Sequence, residues 1–184
     1  MPSMSVKDLH APVKEKALML FERCRQEGLD ILLYCTLRSL EEQARLFRLG
    51  RRLSQIRAKA QELREQWKRP DLAEILLSVG PQHGRRVTYS GPGQSLHNYG
   101  LAFDAVPLRD GKPVWQTNCQ KDLELWDLYG RLGMETGLEW AGTWTRFREF
   151  PHMQAPDTTW HACIGQKDHA PVIPENRPGT PLHV

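Results

Sequence analysis

Apolar residues recur along the chain with two different periods, and the switches between those periods predict the elements. Val13, Ala17, Leu20, Phe21 and Cys24 share one helical face, so residues 12–27 are read as a helix with Pro12 in its first turn and Gly28 at its stop. Leu29 to Thr36 is an apolar run of strand length, read as a buried strand. Ser39 followed three residues later by Glu42 is a capping box, which predicts a helix over about 40–49 ending at Gly50. Arg38 then falls at a strand-to-helix corner, where side chains often point into a site.

Residues 51–80 differ in character. Leu53, Ile56, Ala60, Leu63 and Trp67 recur at intervals of 3, 4, 3 and 4, giving one apolar face to a charged helix. Pro70 breaks it, and Leu72, Ile75, Leu76 and Val79 continue on a second short helix up to Gly80. This segment is read as a solvated helical insertion packed against the domain. Residues 81–95 are polar and rich in Gly, Pro and Ser, a loop with at most a short strand over Arg86–Tyr89.

Leu101–Val106 is read as a strand that puts Ala102, Asp104 and Val106 on one face and Leu101 and Phe103 on the other. Asp110-Gly111-Lys112-Pro113 is a turn signal. Leu123–Glu135 has helical spacing, with Leu125, Leu128, Tyr129 and Leu132 as its core face. A last short strand contains His152. These elements predict an α+β domain over residues 1–165, a small, mainly antiparallel sheet flanked by helices. The tail over 166–184 carries four prolines and no core-forming pattern.

Composition narrows the class. The 184 residues are 40% hydrophobic and 26% charged, the balance of a globular chain. Lys and Arg number 25 against 22 Asp and Glu, and a net charge of +3 does not point to nucleic acid. Ile31–Cys35 is among the longest apolar runs, far below the roughly 20 residues that span a bilayer, so no stable membrane association is expected. The first residues lack a basic segment followed by an apolar one, so synthesis in a cytoplasm without a signal peptide is expected. Cys24, Cys35, Cys119 and Cys163 lie far apart with no CxxC, and free thiols are expected. A cysteine-protease reading from Cys35 finds no second motif to support it.

Two segments carry candidate chemistry. Ser95-Leu96-His97-Asn98-Tyr99-Gly100-Leu101-Ala102-Phe103-Asp104 sets a histidine before a glycine turn and an aspartate inside a strand. A carboxylate buried on a strand is costly unless it meets a cation or several donors, and a divalent metal is one such partner. Glu149-Phe150-Pro151-His152 follows a Trp- and Gly-rich stretch. On a regular strand Glu149 and His152 would face opposite sides; a bend at Pro151 would bring both to one place. Trp140 and Trp144 are read as core or rim residues rather than sugar platforms, and His161 as packing or capping rather than a ligand. His10, His83, His169 and His183 are read as exposed.

Ser-x-His-x-x-Gly-x-Ala-x-Asp at 95–104, followed by Glu-x-x-His at 149–152, resembles the M15 zinc peptidases. The Arg38-Ser39-x-x-Glu42-Gln43 corner is similar to that family's arginine motif, and the resemblance runs from about residue 29 to 155. The resemblance implies one Zn²⁺ per chain held by His97, Asp104 and His152, with the site at the sheet edge. It implies Glu149 as general base, Arg38 as the group that binds a substrate carboxylate or the developing oxyanion, and Ser95 as a substrate-binding residue. The residue types suit these roles, since three N/O ligands leave the fourth zinc position open for water.

The implied substrate is the peptidoglycan stem peptide, with the L-Ala–D-Glu bond favoured and a D-alanyl-D-alanine carboxypeptidase or dipeptidase as the alternative. A monomeric endolysin of a phage or prophage, reaching the periplasm through a holin-type pore, is the implied setting. Two rival readings stay open: a zinc-containing module that binds wall without cutting it, and a purely structural zinc.

Overall fold

The computed structural model describes residues 2–165; the Pro-rich tail, with His169 and His183, lies outside the described residues. Helix α1 spans Ala11–Gln26, with Pro12 in its first turn, and buries the five residues of the predicted stripe. Strand β1 (Ile31–Cys35) alternates buried and half-buried positions, where a fully buried strand was expected. The reason is that one face of the sheet packs on the core while the other opens to the cleft, whose wall includes Tyr34. The capping box at Ser39 forms with both of its bonds and starts α2 (Leu40–Arg48).

Two helices follow, α3 (Leu53–Glu65) and α4 (Pro70–Ser78), with the chain broken near Pro70 as the spacing predicts. Ile56, Ala60 and Leu63 of α3 pack with Leu72 and Leu76 of α4 and with Ala44 and Phe47 of α2, an apolar cluster of their own. Leu53, expected on the buried face, is half exposed because it starts the helix at its free end. The 81–95 loop forms no strand at Arg86–Tyr89.

The remaining strands are β2 (Ala102–Arg109), β3 (Lys112–Pro113), β4 (Glu139–Trp140) and β5 (His152–Gln154), with α5 (Gln120–Glu135) between β3 and β4 and a short α6 (Trp160–Ile164) at the end. The sheet is antiparallel in the order β1-β2-β5-β4, with β3 folded back on β2. The β2–β3 turn places Asp110 and Gly111 at φ of 51° and 71°, the left-handed pair that a two-residue hairpin requires.

Strand alternation divides the sheet into two faces. Phe103 and Met153 are register partners, and they meet Phe21 of α1 and Gly133 of α5. That face is the core. Asp104 and His152, the next register pair, point to the other face. The α+β architecture is as expected. The placement of the candidate site differs: Asp104 and His152 stand on the two inner strands, where an edge position was expected. The β2–β5 register sets the two residues opposite each other, and the strand order flanks that pair with β1 and β4.

Trp140 is held between two glycines. A Cβ on Gly130 would lie 2.1 Å from the Trp140 ring, and one on Gly142 2.2 Å from it. The indole N–H donates to the carbonyl of Phe150 at 2.8 Å, which fixes the segment entering β5. Gly130→Ala is therefore expected to destabilise the protein by about 1–3 kcal/mol through overpacking, measured by denaturant unfolding. Among the described residues, no helix is long and apolar enough to cross a membrane. All four cysteines are free.

Candidate metal centre and cleft

Each donor arrives by a different local device. His97 sits in the 3-10 turn Leu96–Tyr99, closed by Gly100 at φ 65°. A side chain at Gly100 would also meet the carbonyl oxygen of Asp8 at 2.8 Å, so the glycine of this motif serves both conformation and space. Asp104 is the third residue of β2 and His152 the first of β5, aligned by the sheet register. The expected bend is present before β5: the His152 N–H donates to the Glu149 carbonyl at 3.2 Å, closing a turn around Pro151.

His97 Nε2, His152 Nδ1 and Asp104 Oδ1 form a nearly equilateral triangle. Its sides are 3.3 Å (His97 to Asp104), 3.2 Å (His152 to Asp104) and 3.2 Å (His97 to His152). A tetrahedral ion about 2.0 Å from three donors holds them about 3.3 Å apart, so the triangle fits zinc.

Tautomers sharpen this point. His97 Nδ1 lies 2.9 Å from the Thr36 carbonyl oxygen, and His152 Nε2 lies 3.1 Å from Gln154 Oε1. Both oxygens only accept, so those nitrogens carry the ring protons. Gln154 is oriented in turn by its amide N–H groups, which donate to Glu139 Oε2 at 3.1 Å and to the Thr158 carbonyl at 3.4 Å. With neutral rings, two nitrogen lone pairs and a carboxylate oxygen then face one point without a proton between them. Such an arrangement calls for a cation.

The electrostatics show the same demand for positive charge at this point. Burial lowers the His97 pKa, keeping that ring neutral. Burial by itself would raise the Asp104 carboxyl, but the two adjacent histidines hold it well below the usual range. Burial would lower His152, and the bond to Asp104 outweighs it and raises that ring.

Cys35, His97 and Asp104 also bring donor atoms within 4.8 Å of one another. The Cys35 Sγ, however, lies 3.5 Å from His97 Nδ1, on the side of the ring already bonded to Thr36. Burial pushes its thiol up to about 12, and a metal ligand must be thiolate. The histidine–aspartate–histidine triangle is the better cradle.

Arg38 extends from the β1–α2 corner, its Nη2 3.6 Å from Asp104 Oδ2 and 3.4 Å from Cys35 Sγ. Its Nη1 donates to Gln43 Oε1 at 2.9 Å, and Gln43 is anchored on the Ser90 carbonyl. Asn98, fully buried, donates to the carbonyls of Arg38 and Ser39 and accepts from the Gly93 N–H, so it locks the corner to the His97 turn.

Glu149 is exposed in the mouth of the same cleft, where partial desolvation raises its carboxyl pKa, Asp104 adds to that, and His152 and Arg38 oppose it. Ser95 lines the cleft, and its hydroxyl does not cap the turn it begins. The cleft encloses about 1160 Å³ and joins all six predicted residues: Arg38, Ser95, His97, Asp104, Glu149 and His152. Trp144 stands at its wall, 5.7 Å from the His152 ring and bonded to Glu139, while Trp140 belongs to the core. His161 stacks on Trp160 at 3.6 Å and takes no part in the triangle.

Residues 88–155 match the Peptidase_M15_4 family profile, described as D-alanyl-D-alanine carboxypeptidase. The matched stretch contains the triangle and Glu149. The chain carries a peptidase M15 family domain. M15 peptidases are zinc metallopeptidases, and the donor triangle of this M15 domain has the dimensions that zinc requires.

The chain is 29% identical over 151 residues to the peptidoglycan L-alanyl-D-glutamate endopeptidase CwlK of Bacillus subtilis, covering 80% of this chain and 73% of that protein. Two solved structures are more distant. The L-Ala D-Glu endopeptidase ChiX of Serratia marcescens is 17% identical with a TM-score of 0.43, covering 82% of each chain. The D,D-pentapeptidase VanY from a VanB-type vancomycin resistance cassette, an E175A mutant with Zn(II), is 14% identical with a TM-score of 0.47, covering 86% of this chain and 79% of that one.

Sequence reasoning missed the residues that orient the donors: Gln154, Glu139 and Asn98. Gln154 had a readable signal, since it stands two residues beyond His152 on the same strand face. Asn98 was adjacent to His97 and carried none.

Proposed function

We propose that this M15 domain is a zinc endopeptidase that hydrolyses the L-Ala–D-Glu bond of the peptidoglycan stem peptide. His97, Asp104 and His152 hold the zinc, Glu149 is the general base, Arg38 binds substrate charge and Ser95 supports the substrate. The observation that carries this reading is the convergence of two imidazole nitrogens and a carboxylate oxygen on one point of a cleft that also holds a second carboxylate and an arginine. Similarity to CwlK supports the choice of bond.

Zinc, when bound, supplies a water acidified towards neutrality and a charge that polarises the scissile carbonyl. Glu149 takes the proton from the attacking water and delivers it to the departing amine. Its raised pKa brings its proton affinity nearer to working pH, which favours both transfers. Arg38 stays charged throughout and faces Asp104 and the cleft, placed to hold an anionic oxygen of the substrate. Gln154 and the Thr36 carbonyl keep each histidine in the tautomer whose free nitrogen faces the metal. Gln154→Leu is expected to weaken zinc binding about 10–100-fold, measured by competition with a chromophoric chelator.

The test of the bond is digestion of Gram-negative peptidoglycan with product termini read by mass spectrometry. New N-terminal D-Glu is expected. Released D-alanine would instead assign the carboxypeptidase activity by which the family profile is described. A phage lytic role is the setting proposed for this activity. Co-expression with a holin-type pore is expected to lyse cells, and lysis without the pore would count against that setting.

A further inference from the structure

We infer that Tyr34 contacts the substrate, its phenolic hydroxyl donating a hydrogen bond to the scissile carbonyl oxygen as charge develops there; the inference rests on the peptidase reading above. The sheet register provides the first ground. Leu33 pairs with Ala105 and Cys35 with Asp104, so Tyr34 and Cys35 together oppose the single residue Asp104. This is a bulge, the device that bends a strand and re-aims a side chain. In an unbroken ladder, Tyr34 and Cys35 would point to opposite faces. Here both serve the cleft side: Cys35 lies against His97 and Arg38, and Tyr34 forms part of the cleft wall.

The second ground is how the phenol is held. Its ring meets Trp115 edge-on, with centroids 5.3 Å apart, which restrains the ring while the hydroxyl makes no hydrogen bond to the described residues. The hydroxyl lies within the electrostatic reach of Asp104, Arg38 and Glu149, the groups that surround the proposed reacting centre. Burial pushes this phenol upward, so it keeps its proton and remains a donor. Arg38 is partly committed, with Nη1 on Gln43 and Nη2 shared between Cys35 and Asp104. An uncommitted donor on the same wall is what a developing oxyanion needs, since a donor fixed in advance need not reorganise during the reaction.

Tyr34→Phe removes the hydroxyl and leaves the ring and its Trp115 contact. On a defined stem peptide containing L-Ala–D-Glu, kcat is expected to fall about 10²-fold with KM within about twofold of wild type. Zinc content and thermal midpoint are expected to be unchanged, which a merely structural role would not predict. Trp115→Ala, which frees the ring, is expected to lower kcat by a smaller factor. An unchanged kcat in Tyr34→Phe, or a loss confined to KM, overturns the inference. A wild-type protein that cuts another wall bond, with the same Tyr34→Phe loss on that bond, refutes the proposed specificity and leaves Tyr34 in place. A wild-type protein inert on every wall peptide refutes both.

Discussion

Glu149→Gln is expected to lower kcat on stem peptide by about 10²–10⁴-fold while zinc content and unfolding midpoint stay at wild-type values. Glutamine keeps the size and shape of the side chain and removes its ability to take a proton. Among the described residues, no hydrogen bond or ion pair of the fold depends on that carboxylate. It is exposed in the cleft, and the contacts that shape its turn are made by its backbone, whose N–H donates to Ala141 and whose carbonyl accepts from His152. Its raised pKa has a second consequence, and the sign follows directly. The base form is lost as pH falls through the raised value, so activity should decline on the acid side at a higher pH than an ordinary glutamate would give. Full activity in Glu149→Gln would remove the peptidase reading and favour a wall-binding module.

Zinc removal is expected to abolish hydrolysis completely and to lower stability, with both restored by adding zinc back. Ligand binding to the folded state alone contributes about 2.7 kcal/mol when zinc is at 100 times its dissociation constant. The physical reason lies in the triangle. Without a cation, two imidazole lone pairs and a carboxylate oxygen are held 3.2–3.3 Å apart in a buried place, and a proton on His152 is the available substitute. Asp104→Asn should reproduce the loss of activity in the presence of zinc, because it removes the proposed anionic ligand and leaves the two histidines. Retained metal-dependent turnover in Asp104→Asn, measured with zinc content on the same sample, would refute the ligand assignment.

Much of the fold was legible because its signals are local. The α1 stripe, the Ser39–Glu42 capping box, the Pro70 break and the Asp110-Gly111 turn each depend on residues within a few positions of one another, and each appears where the pattern puts it. Strand environment was less legible. Leu29–Thr36 reads as fully buried, yet β1 alternates because one face of the sheet lies on the core and the other opens to the cleft, and neither that nor the sheet order is written in any local run. Sheet order also decided that the donors stand on the inner strands β2 and β5, where an edge was expected.

For the site, the residues themselves marked Arg38, His97, Asp104, Glu149 and His152 as candidates, and the M15 resemblance added Ser95 and implied roles for all six. Pairing of distant segments decided the rest. Asp104 and His152 become neighbours only through the β2–β5 register, and His97 joins them only because its turn is pinned by Gly100 and Asn98. The orienting partners Thr36, Gln154 and Glu139, and the bulge that sets Cys35 beside Tyr34 on the cleft side, are products of the same pairing. A sequence lists donors; their lone pairs acquire a common target only when hydrogen bonds between strands and loops far apart in the chain fix which nitrogen carries the proton and which face each side chain takes.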